Sequence, residues 1–228
     1  MSTTTFLGSP SRPAVGGGHG TGLPSDWVLR WSQAWRDRDG LTALDLACGS
    51  GRHLRLLAGD GVAVTGVDRD TTALAGLAGL SGRVELIQAD IEQGPWPLKG
   101  RVFDLVLVTN YLWRPLLPRI VEAVAPGGWL IYETFTDGQQ TIGRPARPEF
   151  LLRPGELLDA ANGLRVIAYE DGFIESEPPG PAAGGVNGRY VQRVAAVRDK
   201  RPAAGAPAAP AADATGAAPG VYPRYRLR

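Results

Sequence analysis

Acidic and glycine residues recur in the first half of the chain where short apolar runs end. Asp45 precedes a turn that contains Gly49 and Gly51, Asp68 ends the next apolar run, and Asp90 follows the third. Glycines let a ligand approach the backbone closely, and a helix that begins after them offers unpaired N–H groups to an anion. Three acids around such a turn suit a ligand with a cationic amino acid portion, a ribose and an adenine.

Two common phosphate-binding motifs fit this turn poorly. A P-loop requires Gly-Lys-Ser/Thr, whereas this chain has Gly51-Arg52-His53. A dinucleotide-binding fold carries Gly-x-Gly-x-x-Gly, and Leu54 stands where its third glycine would be, counted from Gly49. Nucleoside triphosphate binding is therefore poorly supported, and an NAD-dependent oxidoreductase is the weaker alternative.

Alternating strand-like and helix-like segments must position these residues. The predicted strands are the apolar runs 42–47, 62–67, 84–88, 104–109, 129–134, 164–170 and 189–197. The Pro/Gly-rich connection 175–188 cannot supply a crossover helix, so the last two strands are expected to pair antiparallel. The sequence predicts an α/β fold with a seven-stranded, mostly parallel sheet, a C-terminal antiparallel hairpin and helices on both faces.

Two helical patterns stand out. One predicted helix has apolar residues at i, i+3, i+4 and i+7, and Pro126-Gly127-Gly128 is expected to end it: Leu117, Ile120, Val121 and Val124. The tryptophans Trp27, Trp31 and Trp35 repeat every four residues and predict one stripe on an N-terminal helix. We expect this stripe to pack against the sheet, which is compatible with a second role above a bound ligand.

Between about residues 26 and 198, the chain resembles the class I S-adenosylmethionine-dependent methyltransferase superfamily. Residues 45–51 resemble the family's glycine turn, with Ala47 where many members carry glycine. Asp68 matches the acid that binds the ribose hydroxyls, and Gln88-Ala-Asp90-Ile91 matches the segment that reads the adenine. The segment 103–110 resembles the motif that ends beside the sulfonium, and 126–131 resembles the usual lead-in to the fifth strand.

The resemblance implies a Rossmann-like fold, S-adenosyl-L-methionine as cofactor, no metal, and methyl transfer by in-line displacement. The residues that it assigns to the cofactor are Asp45, Ala47, Gly49, Gly51, His53, Asp68, Arg69, Asp90, Ile91 and Asn110. For His53, a contact with the cofactor carboxylate and a simple place in the first helical turn stay open. The size of the chain is similar to that of the small-molecule branch, which includes tellurite-resistance-type and thiopurine-type enzymes.

The acceptor side is less defined. A sulfonium methyl group is already activated, so a general base is needed only if the nucleophile must lose a proton, and no convincing dyad is evident. Asn110 and Tyr111, at the end of the fourth predicted strand, are the candidate catalytic residues, although Tyr111 can equally serve in packing. The two prolines of the Asn-Pro-Pro-Tyr motif are missing, so the mechanism of amino-group methyltransferases is not carried over.

Arginine density suggests an anionic acceptor. Five arginines lie on the fourth predicted helix or after the fifth strand: Arg114, Arg119, Arg144, Arg147 and Arg153. Guanidinium groups suit planar anions, so Tyr111, Arg114 and Arg144 are the predicted acceptor-binding residues. The alternative is that these arginines are scattered, solvated side chains.

Composition limits the remaining possibilities. The 228 residues carry a formal net charge of +1 and one cysteine, Cys48, so an intrachain disulfide and a cysteine-built metal site are excluded. Cys48 is expected to be a small buried side chain. No apolar run is long enough to span a membrane, and we expect a cytoplasmic protein. Residues 1–22 and 201–228 are predicted to be disordered tails around one domain, 23–200.

A small-molecule acceptor is the expected partner. The near-zero charge argues against a nucleic-acid methyltransferase, which only the basic terminus 221–228 and the arginine-rich segment support. A non-catalytic module that binds the cofactor is the other alternative, because no dyad is evident.

Overall fold

The computed structural model describes residues 22–36, 38–175, 188–200 and 225. The predicted tails lie outside the described residues, apart from Gly22 and Tyr225. The strands are β1 (Thr42–Leu46), β2 (Ala63–Asp68), β3 (Val84–Gln88), β4 (Phe103–Thr109), β5 (Val124–Phe135), β6 (Arg165–Glu175) and β7 (Gly188–Val197). The α-helices are α1 (Asp26–Arg30), α2 (Arg52–Gly59), α3 (Thr71–Ala75), α4 (Leu117–Glu122) and α5 (Glu156–Ala160).

The seven strands form one sheet in the order β3-β2-β1-β4-β5-β7-β6. Neighbours among β1 to β5 pair parallel, whereas β7 pairs antiparallel with both β5 and β6. The predicted mostly parallel sheet with an antiparallel C-terminal hairpin is confirmed. Because the first five strands are parallel, their carboxyl ends meet at one edge, where the predicted site residues are concentrated.

Two apolar layers cover the sheet, one on each face. The first contains the three tryptophans of the N-terminal segment together with Leu54 and Leu57 of α2. The second contains Ile120 of α4 and Leu157 of α5. At Gly66 a side chain would clash with Leu54, so this glycine lets α2 lie directly on β2. The close packing fixes the start of α2 against the carboxyl ends of β1 and β2.

The tryptophan stripe packs as predicted, but not on one helix. Trp27, Trp31 and Trp35 are all buried, and the Trp31 ring lies 6.0 Å from that of Trp129. The α-helix ends at Arg30 and a 3₁₀ turn, Ser32–Ala34, follows. The indole N–H of Trp35 then donates to Asp60 at the end of α2 at 2.8 Å. All three indole side chains are thus buried, although the α-helix does not continue through all three residues.

The fourth helix is shorter than predicted. It ends at Glu122, and Val124 pairs with Phe103 as the first residue of β5. Pro126-Gly127-Gly128 therefore lies inside the strand and does not end the helix. Gly127 has φ +80°, and a side chain at Gly128 would meet the Phe103 carbonyl oxygen, so only glycines fit this irregularity.

None of the helices formed by the described residues is long and apolar enough to cross a membrane.

Candidate active site

The glycine turn is fastened to β2. The Cys48 amide donates to the Val67 carbonyl at 3.1 Å, and the Gly49 amide donates to Asp68 Oδ2 at 2.7 Å. Ala47, Gly49 and Gly51 all have positive φ, which is strained for alanine and natural for glycine. Cys48 is buried as predicted, and burial raises the pKa of its thiol, so it is not a nucleophile. These hydrogen bonds hold the glycine turn at the carboxyl edge of the sheet.

Asp68 lies at the end of β2 with both carboxylate oxygens engaged. Oδ2 accepts from the Gly49 amide, and Oδ1 accepts from the Asp70 amide at 2.9 Å. Each carboxylate oxygen has a second lone pair, so the group can still accept a pair of hydroxyl hydrogens. Asp68 therefore lies at the carboxyl edge with room for further hydrogen bonds, and its contact with ribose hydroxyls stays a prediction.

Asp45 has a different environment. It is 2% exposed, and its Oδ2 is buried without a hydrogen-bond partner among the described residues. Burial raises the pKa of Asp45 to about 7, although the nearby Arg52 partly opposes the shift. A buried carboxylate oxygen without a partner is costly unless a ligand satisfies it. The ammonium group of a ligand is a hydrogen-bond donor that would satisfy this oxygen.

Arg52 is a further candidate site residue, which sequence analysis did not include. Its Nη2 is buried without a partner among the described residues, and its Nη1 reaches the Leu23 carbonyl only at 3.4 Å. Burial, followed by the proximity of Arg189, lowers the pKa of this guanidinium. One signal was available: Arg52 is the first residue of α2, and a cation at a helix N-terminus opposes the helix dipole unless an anion lies nearby.

His53 connects three elements and is not free to bind a ligand. Its Nε2 accepts from the Ser25 amide at 3.0 Å, and its Nδ1 lies 3.3 Å from the Thr109 hydroxyl oxygen. Burial and the adjacent Arg52 lower the pKa of His53 to about 3, so the ring is neutral. Because Nε2 accepts, the proton is on Nδ1. Both ring nitrogens thus have protein partners, which favours a simple place in the first helical turn over a contact with the cofactor carboxylate.

Glu133 on β5 is fully buried and lies beside side chains from two other segments at the carboxyl edge of the sheet. Its Oε1 accepts from the Ser25 hydroxyl at 2.9 Å and lies 3.1 Å from Arg189 Nη2. Its Oε2 lies 3.5 Å from Arg193 Nη1 and makes no hydrogen bond with a described residue. Sequence analysis missed these residues, although an acid inside the apolar run 129–134 was a visible irregularity.

The adenine side of the predicted site lies after β3. Asp90 Oδ1 accepts from the amides of Glu92 and Gln93 at 2.9 and 3.0 Å, which closes a turn. These backbone bonds lower the pKa of Asp90. Ile91 is buried, whereas Arg69 is largely exposed, with its Nη1 3.9 Å from Glu92. Asp90 is therefore held by its own turn, Ile91 is buried and Arg69 is exposed, and the contacts of these residues with the cofactor stay predictions.

The predicted catalytic pair follows β4. Asn110 has φ +55°, a strained value for a non-glycine residue, and its amide donates to the Glu133 carbonyl at 2.9 Å while its side chain is exposed. The Tyr111 hydroxyl is buried without a partner among the described residues. Burial, with Glu92 as the next contribution, raises the pKa of Tyr111. Tyr111 thus faces the β3 side of the edge and is a poor base.

Arg114 is committed to the fold. Its Nε and Nη2 bind Glu156 at 2.6 and 2.9 Å, and its Nη1 and Nη2 also bind the carbonyls of Glu149 and Leu151. All three of its nitrogens therefore have partners within the protein, which argues against the predicted contact with an acceptor. Sequence analysis missed this because the partner lies 42 residues away.

Three of the other four arginines in the predicted set also have ion-pair partners. Arg119, Arg147 and Arg153 form ion pairs with Glu122, Glu149 and Glu156 respectively. Arg144 is exposed, and its carbonyl accepts from Gln139 Nε2 at 3.1 Å. A role for Arg144 in acceptor binding stays a prediction.

A groove of about 340 Å³ lies at the opposite edge, near the amino ends of β1 to β4. Arg101 there is already paired with Glu85 at 2.7 Å. No buried polar atom without a partner lines it among the described residues, so the carboxyl edge is the better candidate site. Within the same residues, no three His, Cys, Asp or Glu side chains gather as a metal-binding group.

Comparison with known proteins agrees with this geometry. Residues 43–128 match the family described as a methyltransferase domain. The tRNA U34 carboxymethyltransferase of Klebsiella pneumoniae is 26% identical over 178 residues, which cover 69% of this chain and 52% of the relative. The trans-aconitate 2-methyltransferase of Paracidovorax citrulli is 34% identical over 112 residues, covering 46% and 42%. The chain spans about half the length of these curated relatives.

Among solved structures, TehB from Haemophilus influenzae superimposes with a TM-score of 0.60 at 19% identity, over 75% of this chain and 61% of TehB. The strand order, the glycine turn, the acid inside β1 and the acid that ends β2 define a class I methyltransferase fold. Residues 43–128 thus match a methyltransferase domain, and the chain shares its fold with TehB.

Proposed function

We propose that the chain is an S-adenosylmethionine-dependent methyltransferase that acts on a small, anionic acceptor. The observation that carries the proposal is the contrast between two carboxylates on either side of the glycine turn. Asp68 is held by two backbone amides, and Asp45 presents a buried oxygen without a partner among the described residues. A ribose and an amino acid ammonium satisfy these two groups together.

The residues present fit this cofactor. Asp45 Oδ2 would accept from the ammonium, Asp68 would accept from the ribose hydroxyls, and the positive-φ glycines would let the chain of the ligand lie against the turn. Asp90 and Ile91 would line the adenine. When bound, S-adenosylmethionine supplies an activated methyl group, so the protein mainly has to orient it and exclude water.

Asn110 and Tyr111 stay the proposed residues around the transferred methyl group. The strained backbone at Asn110 places the chain at the end of β4 in a conformation that the Glu133 carbonyl fixes. With its raised pKa, Tyr111 can donate a hydrogen bond to an acceptor but does not serve as a base near neutral pH. This fits an acceptor that is already ionised, such as a carboxylate.

The binding of S-adenosylhomocysteine tests the cofactor assignment. Asp68→Asn removes a negatively charged hydrogen-bond acceptor. It should therefore raise the dissociation constant for S-adenosylhomocysteine about 10- to 100-fold, measured by isothermal titration calorimetry. Asp70→Asn is the matched control, because asparagine also caps the helix that Asp70 begins. The proposal would be contradicted if Asp68→Asn and Asp70→Asn bound S-adenosylhomocysteine with equal affinity, or if the wild-type protein did not bind it.

RNA is the alternative acceptor, because one relative is named for tRNA. Tight RNA binding that weakens steeply with salt would favour it over a small molecule.

A further inference from the structure

We propose that a cleft beside the end of β4 binds a hydroxy carboxylic acid with an apolar body of about one ring, and that Arg153 and Asp137 recognise its polar groups. The cleft has a volume of about 150 Å³ and lies between the residues that follow β5 and the segment 148–154. The inference rests on the proposed function and deepens it, because it names the class of the acceptor.

The position of the cleft follows from the strand that replaces β4. After β4 ends at Thr109, Leu152 pairs parallel with Thr136, directly beyond the end of β5. β7 holds the opposite side of this stretch, since the Thr136 amide donates to the Tyr190 carbonyl at 3.1 Å. Leu152 therefore lies on the side that β4 has left. The cleft is thus at the carboxyl edge, where the proposed residues around the transferred methyl group also lie.

Buried polar side chains hold this region in one arrangement. Gln192 of β7 is fully buried, donates to the Arg153 carbonyl at 2.7 Å and accepts from the Leu157 amide at 2.9 Å. It also donates to Thr136 Oγ1 at 2.8 Å, and the Thr136 hydroxyl donates to the Leu152 carbonyl at 3.0 Å. A buried network in which each member has partners makes a segment rigid. The walls of the cleft are therefore formed before a ligand binds.

Four of the lining residues are apolar. Leu151 and Leu152 are buried, and Pro148 and Pro154 flank them in the sequence. An apolar cavity of about this volume is large enough to hold one benzene ring. The apolar part of the ligand is therefore limited to about one ring.

Arg153 is a lining residue whose guanidinium is held loosely. Its Nε and Nη2 both lie 3.5 Å from Glu156, whereas Arg114 holds the same carboxylate at 2.6 and 2.9 Å. The Arg153 side chain is also 79% exposed. A guanidinium in this state can turn toward a planar carboxylate and form two parallel hydrogen bonds with it.

Asp137 supplies a hydrogen-bond acceptor next to this donor. Asp137 follows Thr136 and Arg153 follows Leu152, so the two charged residues are neighbours across the parallel pair. Asp137 Oδ1 accepts from Gln140 Nε2 at 2.7 Å, and the exposed carboxylate can accept further hydrogen bonds. Asp137 repels a simple carboxylate, whereas a ligand that also carries a hydroxyl group satisfies both residues. The lining therefore favours a hydroxy carboxylic acid.

The experiment measures the binding of 3-hydroxybenzoate to the full chain saturated with S-adenosylhomocysteine, by ligand-observed NMR titration. Arg153→Gln should raise the dissociation constant about 5- to 20-fold, because a charge-assisted pair of hydrogen bonds is lost. Binding of phenol, which lacks the carboxylate, should not change in this variant. Asp137→Ala should weaken the binding of 3-hydroxybenzoate but not that of benzoate, which lacks the hydroxyl group.

Arg147→Gln is the matched control, because Arg147 is an exposed arginine of the same segment that pairs with Glu149. Arg153→Lys keeps the charge but not the planar pair of donors, so its affinity should lie between those of wild type and Arg153→Gln. The inference is overturned if the wild-type complex does not bind 3-hydroxybenzoate, or if Arg153→Gln binds it as tightly as Arg147→Gln does. Failure of the proposed function looks different, because the wild type then does not bind S-adenosylhomocysteine.

Discussion

At the residue scale, two aspartates with similar sequence settings have opposite environments. Asp68 receives two backbone N–H groups, whereas one oxygen of Asp45 receives none. Hydrogen bonds stabilise a carboxylate and burial destabilises it, which is why the pKa of Asp45 rises to about 7. Paired acids with divergent environments are typical of functional sites.

The raised pKa of Asp45 predicts how stability depends on pH. The folded protein binds this proton more tightly than the unfolded chain, so its contribution is full below about pH 4 and is lost as pH rises through about 7. Asp45→Asn carries no charge at any pH. We therefore expect its free energy of unfolding to exceed that of the wild type by about 2–4 kcal/mol near pH 8 and to match it near pH 4.

Urea unfolding at a series of pH values measures this difference. Asp39→Asn, which changes an exposed acid in the turn before β1, should follow the wild type throughout. A constant offset between Asp45→Asn and wild type at all pH values would show that Asp45 does not titrate in this range.

At the element scale, Arg114 fastens the segment 149–156 to the turn before α4. Burial alone would raise the pKa of Glu156, but hydrogen bonds from Arg114 and Arg153 outweigh it and lower the pKa to about 2. The same guanidinium binds two carbonyls of the segment. One side chain therefore determines how a long connection lies beside the end of β4.

We expect Arg114→Ala to reduce the free energy of unfolding by about 1–3 kcal/mol, because it leaves Glu156 partly buried without its main partner. The exposed pair of Arg119 and Glu122 supplies the comparison, and Arg119→Ala should change stability by less than about 0.5 kcal/mol. Thermal or urea unfolding measures both. If both variants lost a similar amount of unfolding free energy, the structural role assigned to Arg114 would be contradicted.

At the scale of the whole molecule, an aromatic layer joins distant parts of the chain. Trp27 contacts Trp31, Trp31 lies beside Trp129 of β5, and Tyr225 meets Trp129 edge-to-face with ring centroids 5.6 Å apart. Residues near both ends of the described chain thus pack on one strand in the middle of the sheet.

Tyr225→Ala should lower the free energy of unfolding by about 0.5–1.5 kcal/mol through the lost aromatic contact. Tyr225→Phe keeps the ring and should match the wild type. A double-mutant cycle with Trp129→Leu isolates the pair, and a coupling energy near zero would show that Tyr225 contributes nothing through Trp129.

The sequence predicted what depends on local pattern. Buried strands are apolar runs, so all seven were found, and Asp68 could be placed at the carboxyl edge because it ends one of these strands. The charge partners could not be predicted, since Ser25 and Glu133 are 108 residues apart and Arg114 and Glu156 are 42 apart. The density of arginines therefore suggested an acceptor contact at Arg114, whereas the structure pairs Arg114 with Glu156.

The position of β7 has a consequence for biosynthesis. This strand is the last of the seven to leave the ribosome, yet it lies between β5 and β6. A nascent chain that stops before residue 188 has an unpaired edge on β5, and β6 has no neighbour to join. Both arginines that contact Glu133 also arrive with β7. Until β7 is in place the Glu133 carboxylate lacks both of these partners, so the carboxyl edge of the sheet is completed last.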